Sequence, residues 1–375
     1  MVPPAGKACQ ANCGSAAHRA DACRSGRRDT AADPGREPRA GGAGHAFSAS
    51  HPRWLHPSTN PITSGLLADY QVAGRGYHAG TVKLHLVDAT FELFRAFYSR
   101  PPRRGPDGRP TNAVQGLIDS MLSLLREPDL THIGAATDHV IESWRNDLYP
   151  GYKSSAGVDP DLLAQFDDAE RALRALGIPV WAMVEDEADD AIATAVERFA
   201  GDTRVGQVII CSVDKDLSQL VDGSRILLRD RMRNITYDEA GVVAKFGVKP
   251  SSIPDYLALV GDSSDGFPGL PGWGSKSAAV VLARWLHLDD IPRSALDWEL
   301  PVRNASRLAA TLVDERAAAI LFRTLATLNR DSAIADATPL LDDLEWHGVP
   351  RDRFIALCDE LGFDTVRERV HRWAD

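Results

Sequence analysis

The feature that most constrains this chain is a series of short apolar runs that stop at or lead into acids, with helical patterns between them. The segments VKLHLVD (82–88), HIGAATD (132–138), VWAMV (180–184), QVIICSVD (207–214) and RILLR (225–229) have the length and composition of strands. Apolar residues at helical spacing occupy 113–126, 162–176, 189–199 and 216–220. Strands alternating with helices predict an α/β fold whose central sheet is largely parallel. From about residue 237 the pattern turns helical, with expected helices at 252–260, 275–286, 304–328 and 351–372. We therefore divide the chain into an N-terminal stretch (1–80), an α/β domain (81–236) and a helical C-terminal region (237–375). No internal repeat is visible.

In open parallel sheets, ligands bind beyond the carboxyl ends of the strands. Asp88, Asp138 and Asp214 close three of the runs, and 180–184 leads into Glu185-Asp186-Glu187-Ala188-Asp189-Asp190. One acid at a strand end needs no function, because Asp favours turns and helix N-caps. Asp189 and Asp190 could simply favour the positive end of the next helix. The whole set is harder to explain that way. Five carboxylates fall within residues 185–190, Asp214 and Asp216 flank Lys215, and Asp262 and Asp265 precede a Gly/Pro-rich loop. Converged carboxylates cannot all stay ionised without cations. Oxygen donors without His or Cys favour a hard ion, Mg²⁺ or Mn²⁺. The acids suffice for two ions, an arrangement suited to in-line attack on a phosphodiester.

The formal net charge of −10 argues against nucleic acid as a partner. The objection weakens if the acids hold cations, which invert the local field. With 375 residues, 44% hydrophobic, the chain can bury a sizeable core. No apolar run is long enough for a membrane span, and the first thirty residues lack the apolar stretch of a secretory signal, so we expect a cytoplasmic protein. Cys9, Cys13, Cys23, Cys211 and Cys358 show no disulfide or zinc spacing. Residues 1–80, rich in Ala, Gly, Arg, Ser and Pro, are expected to be disordered. Their scattered acids speak against a targeting peptide, and a natural start near Val82 is an alternative.

Five ordered blocks resemble the 5′-nuclease superfamily, which includes the 5′→3′ exonuclease domain of bacterial DNA polymerase I and the flap endonucleases. They are VDAT (87–90) with FRAFYS (94–99), TDHVIESWRNDLYPGYK (137–153), EADD (187–190), VDKDLSQLV (213–221) and GDSSDGFPGLPGWGSKSA (261–278). The resemblance implies that Asp88, Asp138, Glu187 and Asp189 hold a first metal. Asp214, Asp216, Asp262 and Asp265 would hold a second, with Asp190 close by. It implies that Arg145 and Lys153 contact the scissile phosphate. Tyr149 and Tyr152 would position the strand, with core packing as the competing role. A helix–two-turn–helix motif over about 252–286 would grip duplex backbone through Gly269, Gly272, Gly274, Ser275 and Lys276. Such loops in the family often bind a monovalent cation, which makes K⁺ a further candidate.

The chain also departs from the family. Ser154-Ser155-Ala156-Gly157-Val158-Asp159 replaces a basic stretch that normally contributes to an arch over the 5′ end. Ala89 stands where Gly is common, and Gly266 where Asn is common. No polymerase domain follows, which implies a free-standing bacterial member, expected to be monomeric. Two basic clusters, Arg100/Arg103/Arg104/Arg109 and Arg229/Arg231/Arg233, could meet DNA or be ordinary solvated loops. The expected activity is a 5′→3′ exonuclease and flap endonuclease acting on double-stranded and 5′-flap DNA in replication and repair. The alternatives are a non-catalytic module that binds DNA junctions and a related metal-dependent ribonuclease.

Overall fold

A computed structural model describes residues 82–334 and 340–374. The expectations for residues 1–80 lie outside these. Six strands form the central sheet in the order β3-β2-β1-β4-β5-β6. Five are parallel: β1 (Val82–Asp88), β2 (His132–Asp138), β3 (Val180–Met183), β4 (Val205–Cys211) and β5 (Ile226–Asp230). The short β6 (Ile235–Tyr237) pairs antiparallel to β5 and closes the edge.

Period-2 alternation along the strands sends side chains to two faces, and both are buried. Val87, Ile133, Ala135, Ile209 and Cys211 face a core built with α1 (Ala89–Ser99), α2 (Asn112–Leu124) and α5 (Phe166–Ala175). Leu84, Leu86, Ala136, Val208, Ile210 and Leu228 face a second core. That core includes α6 (Ala188–Phe199) and the helical region: α7 (Glu239–Phe246), α8 (Ile253–Val260), α9 (Ser275–Trp285), α10 (Ala305–Asp314) and α11 (Arg316–Ala326). The α/β part and the helical part thus share one apolar interior. Short helices α3 (Trp144–Leu148) and α4 (Pro160–Leu163) fill the connection from β2 to α5.

The structure interrupts three of the expected long helices. The 162–176 pattern breaks at Gln165, whose side chain leaves the helix direction to accept from Ala113 N (2.8 Å) and Val114 N (3.2 Å), capping the start of α2. The 304–328 pattern divides at Glu315. The last helix, α12 (Arg351–Leu361), stops at Gly362, which takes the left-handed conformation common after helix ends.

The chain's last stretch does not stay with the helical region. Trp346 N donates to Thr131 O and Trp346 Nε1 to Leu176 O, both at 3.0 Å. Val349, Phe354, Leu357, Leu361 and Phe363 then join the α2/α5 core on the opposite face of the sheet. A two-stranded ribbon of β7 (Val349–Pro350) and β8 (Trp373–Ala374) secures the return.

Candidate active site

The sheet order places β2 and β3 on one side of β1 and β4 and β5 on the other. A crevice therefore opens at the carboxyl ends of β1 and β4, where the winding reverses. Asp88 ends β1 and Asp138 ends β2. Glu187 caps α6 just after β3, with Asp189 in its first turn. Asp214 follows β4, and Asp216 opens the 3-10 turn Asp216–Leu220. Asp262 and Asp265 come from the loop after α8.

Small polar groups join these segments. Ser212 Oγ donates to Asp88 Oδ2 (2.8 Å) and accepts from Asp214 N (3.1 Å). Thr90 Oγ1 accepts from Asp138 N (2.7 Å), and Ala188 N donates to Asp138 Oδ1 (2.7 Å). Ser143 Oγ donates to Glu187 Oε1 (2.6 Å) and Tyr152 OH to Glu187 Oε2 (3.3 Å). Lys153 Nζ bridges the two sides, 2.8 Å from Glu187 Oε2 and 3.5 Å from Asp265 Oδ1. Lys215 pairs with Asp262.

The charges confirm that the acids share one field. Burial, then the Asp138 and Asp214 charges, push the Asp88 carboxyl up to about 7. Burial, reinforced by Asp262 and Asp214 and opposed by Lys153, pushes Asp265 up to about 7. Burial raises Asp138 and, more strongly, Asp189 and Asp216; Asp88 and Asp214 add to the shift at Asp189, and Asp265 and Asp214 to that at Asp216. Glu187 moves the other way: burial raises it, but Lys153 and Arg145 outweigh burial. The protein's own cations thus neutralise only part of the cluster.

The donor set fits divalent metal. One oxygen each from Asp216, Asp262 and Asp265 lies within 4.8 Å of the others, and Asp216 Oδ1 is buried with no hydrogen-bond partner. Such an oxygen is costly unless a cation or water meets it.

Two expected site residues lie elsewhere. Arg145 is 1% exposed. Its guanidinium donates to Asp190 Oδ2 (2.7 Å) and Oδ1 (2.8 Å), and to Leu325 O (2.8 Å) and Thr327 O (3.2 Å). It is a core ion pair, shut off from solvent, with four of its five N–H groups bonded inside the protein. Asp190, fully buried, also accepts from Glu187 N (3.0 Å) and Asn329 N (2.8 Å). These four bonds engage its carboxylate, so it braces α6 and is not a metal ligand. Of the tyrosines, Tyr152 is buried and orients Glu187, while Tyr149 packs edge-on against Phe322. The buried Tyr152 ring is not free for a base, while Tyr149 stays half-buried. Lys153, 29% exposed, keeps access to solvent.

The glycines of the helix–two-turn–helix loop divide by task. Gly269 is buried, with positive φ and no room for a Cβ, which would lie 2.3 Å from Gly261 N. It serves packing. Gly272, Gly274, Ser275 and Lys276 are exposed, and no side chain caps the start of α9. Gly266 touches the other side of the site: a Cβ there would lie 2.2 Å from Gly151 O, and Lys153 N donates to Asp265 O (3.0 Å). The Lys153 segment and the Asp265 loop are therefore joined backbone to backbone.

Both basic clusters make contacts within the chain, with Arg104 and Arg233 still more than half exposed. Arg100 pairs with Asp119, Arg104 with Asp161, Arg109 with Asp168, and Arg103 reaches Gly362 O. Arg229, Arg231 and Arg233 pair with Glu127, Glu92 and Asp230.

Residues 83–247 match the model of the 5′-3′ exonuclease N-terminal resolvase-like domain, and 248–351 that of the 5′-3′ exonuclease C-terminal SAM fold. A 5′-3′ exonuclease of Aquifex aeolicus is 34% identical over 217 residues, covering 58% of this chain and 73% of its own length. The chain belongs to the 5′-3′ exonuclease family. Within the family it is similar to DNA polymerase I of Pseudomonas aeruginosa, at 37% identity over 300 residues. That match covers 76% of this chain and 31% of the polymerase, so this 5′-3′ exonuclease family member spans about a third of that relative. Among solved structures, T5 5′-exonuclease with bound zinc ions aligns with a TM-score of 0.53 at 16% identity, over 75% of this chain and 98% of its own. The catalytic core of Rad2 in complex with DNA aligns at 0.52 and 16%, over 79% and 94%. At such identities the likeness concerns the fold.

Proposed function

We propose that this chain is a metal-dependent 5′→3′ exonuclease and flap endonuclease that hydrolyses phosphodiester bonds of duplex or branched DNA in replication and repair. The observation that carries the reading is the meeting, at one sheet edge, of acids up to about 180 positions apart in sequence, whose protonation is pushed up by burial and by one another. Asp88, Asp138, Glu187 and Asp189 would hold one Mg²⁺ or Mn²⁺, and Asp214, Asp216, Asp262 and Asp265 a second. Bound there, such ions supply an activated water and stabilise the leaving oxygen.

The chain's own residues do the rest. Lys153 places a cation beside the acids, where it can attract a phosphate while holding Glu187 ionised. Ser143 and Tyr152 fix the rotamer of Glu187 and Ser212 that of Asp88. The open start of α9, with Lys276, suits duplex backbone, and K⁺ is a candidate ligand of that loop. No described helix is long and apolar enough to cross a membrane, and we take the protein to act as a cytoplasmic monomer.

The test is cleavage of 5′-flap, blunt, nicked and single-stranded DNA in Mg²⁺ and Mn²⁺. Asp189→Ala and Asp214→Ala should keep the wild-type circular dichroism spectrum and lose most cleavage. Undiminished cutting by both variants refutes the proposal. Binding without cutting by the wild type would favour a junction-binding module, and preference for a matched RNA flap a ribonuclease.

A further inference from the structure

Five consecutive residues at the end of α11, 325–329, each give a backbone group to a side chain of the α/β domain. Leu325 O and Thr327 O accept from Arg145 (2.8 and 3.2 Å). Ala326 O accepts from Gln219 Nε2 (2.9 Å), and Leu328 N donates to Gln219 Oε1 (3.2 Å). Asn329 N donates to Asp190 Oδ1 (2.8 Å). The last carbonyls of a helix and the first amides beyond it need such partners. Here the partners stand next to the two groups of acids. Asp190 also holds Glu187 N (3.0 Å), at the start of the helix that bears Glu187 and Asp189. Gln219, 8% exposed, also donates to Asp216 O (2.9 Å), within the turn that Asp216 opens.

We propose that residues 325–329 act as a strap that sets the spacing of the two carboxylate groups, and that Gln219 is the positioning residue for the Asp214/Asp216 side. The inference rests on the metal-dependent reading above. Gln219 touches none of the acidic oxygens; it fixes the backbone of Asp216 relative to the strap. The strap, through Asp190, fixes Glu187 and Asp189. Removing the amide leaves the first group braced and frees the second. Partners that orient ligands in this way commonly change metal affinity by about 10- to 100-fold.

The test uses the full chain without DNA and follows Mn²⁺ uptake by calorimetry, alongside urea unfolding. The control is Gln165→Met, the same substitution at the buried cap of α2, where Gln165 Oε1 accepts from Ala113 N (2.8 Å) and Val114 N (3.2 Å) and touches neither the strap nor the acids. Wild type should show two binding events. Gln219→Met should keep one unchanged and weaken the other by about 10- to 100-fold. Its cleavage should return to the wild-type rate at high Mn²⁺, with KM for DNA unmoved. Gln165→Met should lose stability and keep both events. Should Gln219→Met not fold, Gln219→Asn keeps an uncharged amide one methylene short of its partners and serves in its place. If wild type binds twice and the Gln219 variant binds identically, or shifts no more than Gln165→Met, the strap proposal fails alone. If wild type takes up no Mn²⁺, the metal-dependent reading fails and takes this proposal with it.

Discussion

Asp190→Asn tests the buried ion pair. The substitution keeps the size of the side chain and one acceptor oxygen but removes the charge, and its amide nitrogen also gives up the bond from Glu187 N or from Asn329 N. Arg145, 1% exposed, then stays cationic among carbonyl oxygens, with its nearest remaining carboxylate at Glu187 Oε1, 3.5 Å away. Leaving one partner of a buried pair uncompensated typically costs about 3–5 kcal/mol, and the Glu187 contact argues for the lower end. An exposed pair of the same geometry would contribute about 1 kcal/mol or less. We therefore expect a loss of about 3 kcal/mol in urea unfolding, and a melting temperature lower by roughly 5 °C for a chain of this size. Equilibrium unfolding followed by far-UV circular dichroism measures the first, and calorimetry the second. At a temperature where the variant is folded, affinity for flap DNA by fluorescence anisotropy should match wild type, because the guanidinium faces the protein. A stability loss below about 1 kcal/mol together with weakened DNA binding would show that the pair is solvated and meets nucleic acid. That result would refute the reasoning.

Two further outcomes are expected. His85, in the middle of β1 with both ring nitrogens unpartnered, has its pKa lowered from 6.5 to about 4, chiefly by burial. The folded chain therefore resists a proton that the unfolded chain accepts, so stability falls as pH drops from 6.5 towards 4, by about 3 kcal/mol in total. His85→Val should flatten that limb of the pH profile, and an unchanged slope would contradict the assignment. The segment after Lys153 is pinned down, Ser155 N and Oγ donating to Glu142 Oε1 (2.7 and 2.6 Å), with α4 and α5 directly behind it. A 5′ flap carrying a bulky terminal block should therefore be cut as fast as a free one in a gel assay. Protection by the block would show that the strand threads.

The strands and the acids at their ends were legible because both are local signals. Apolar runs mark β1 to β5 directly, and topology then brings their last residues to one edge. What the chain hid were contacts made at a distance. Arg145 sits in a motif that resembles a phosphate contact, yet its partners include Leu325 and Thr327, about 180 positions on. Gln219 bonds to 326 and 328, Ser212 links Asp88 to Asp214, and neither has any pattern of its own to betray the role. The antiparallel β6 is only three residues long, too short for alternation to show. Gln165 could have been suspected only by knowing that α2 starts beside it.

The homeward path of residues 341–374 makes the molecule hard to divide. Its first half rests on side chains supplied from its far end, such as Trp346 and Phe354, while its middle shares an interior with both. A scissor placed between the two matched regions would not release a working catalytic module. It would strip the floor from beneath α2 and α5 and expose apolar surface that, in the intact chain, never meets water.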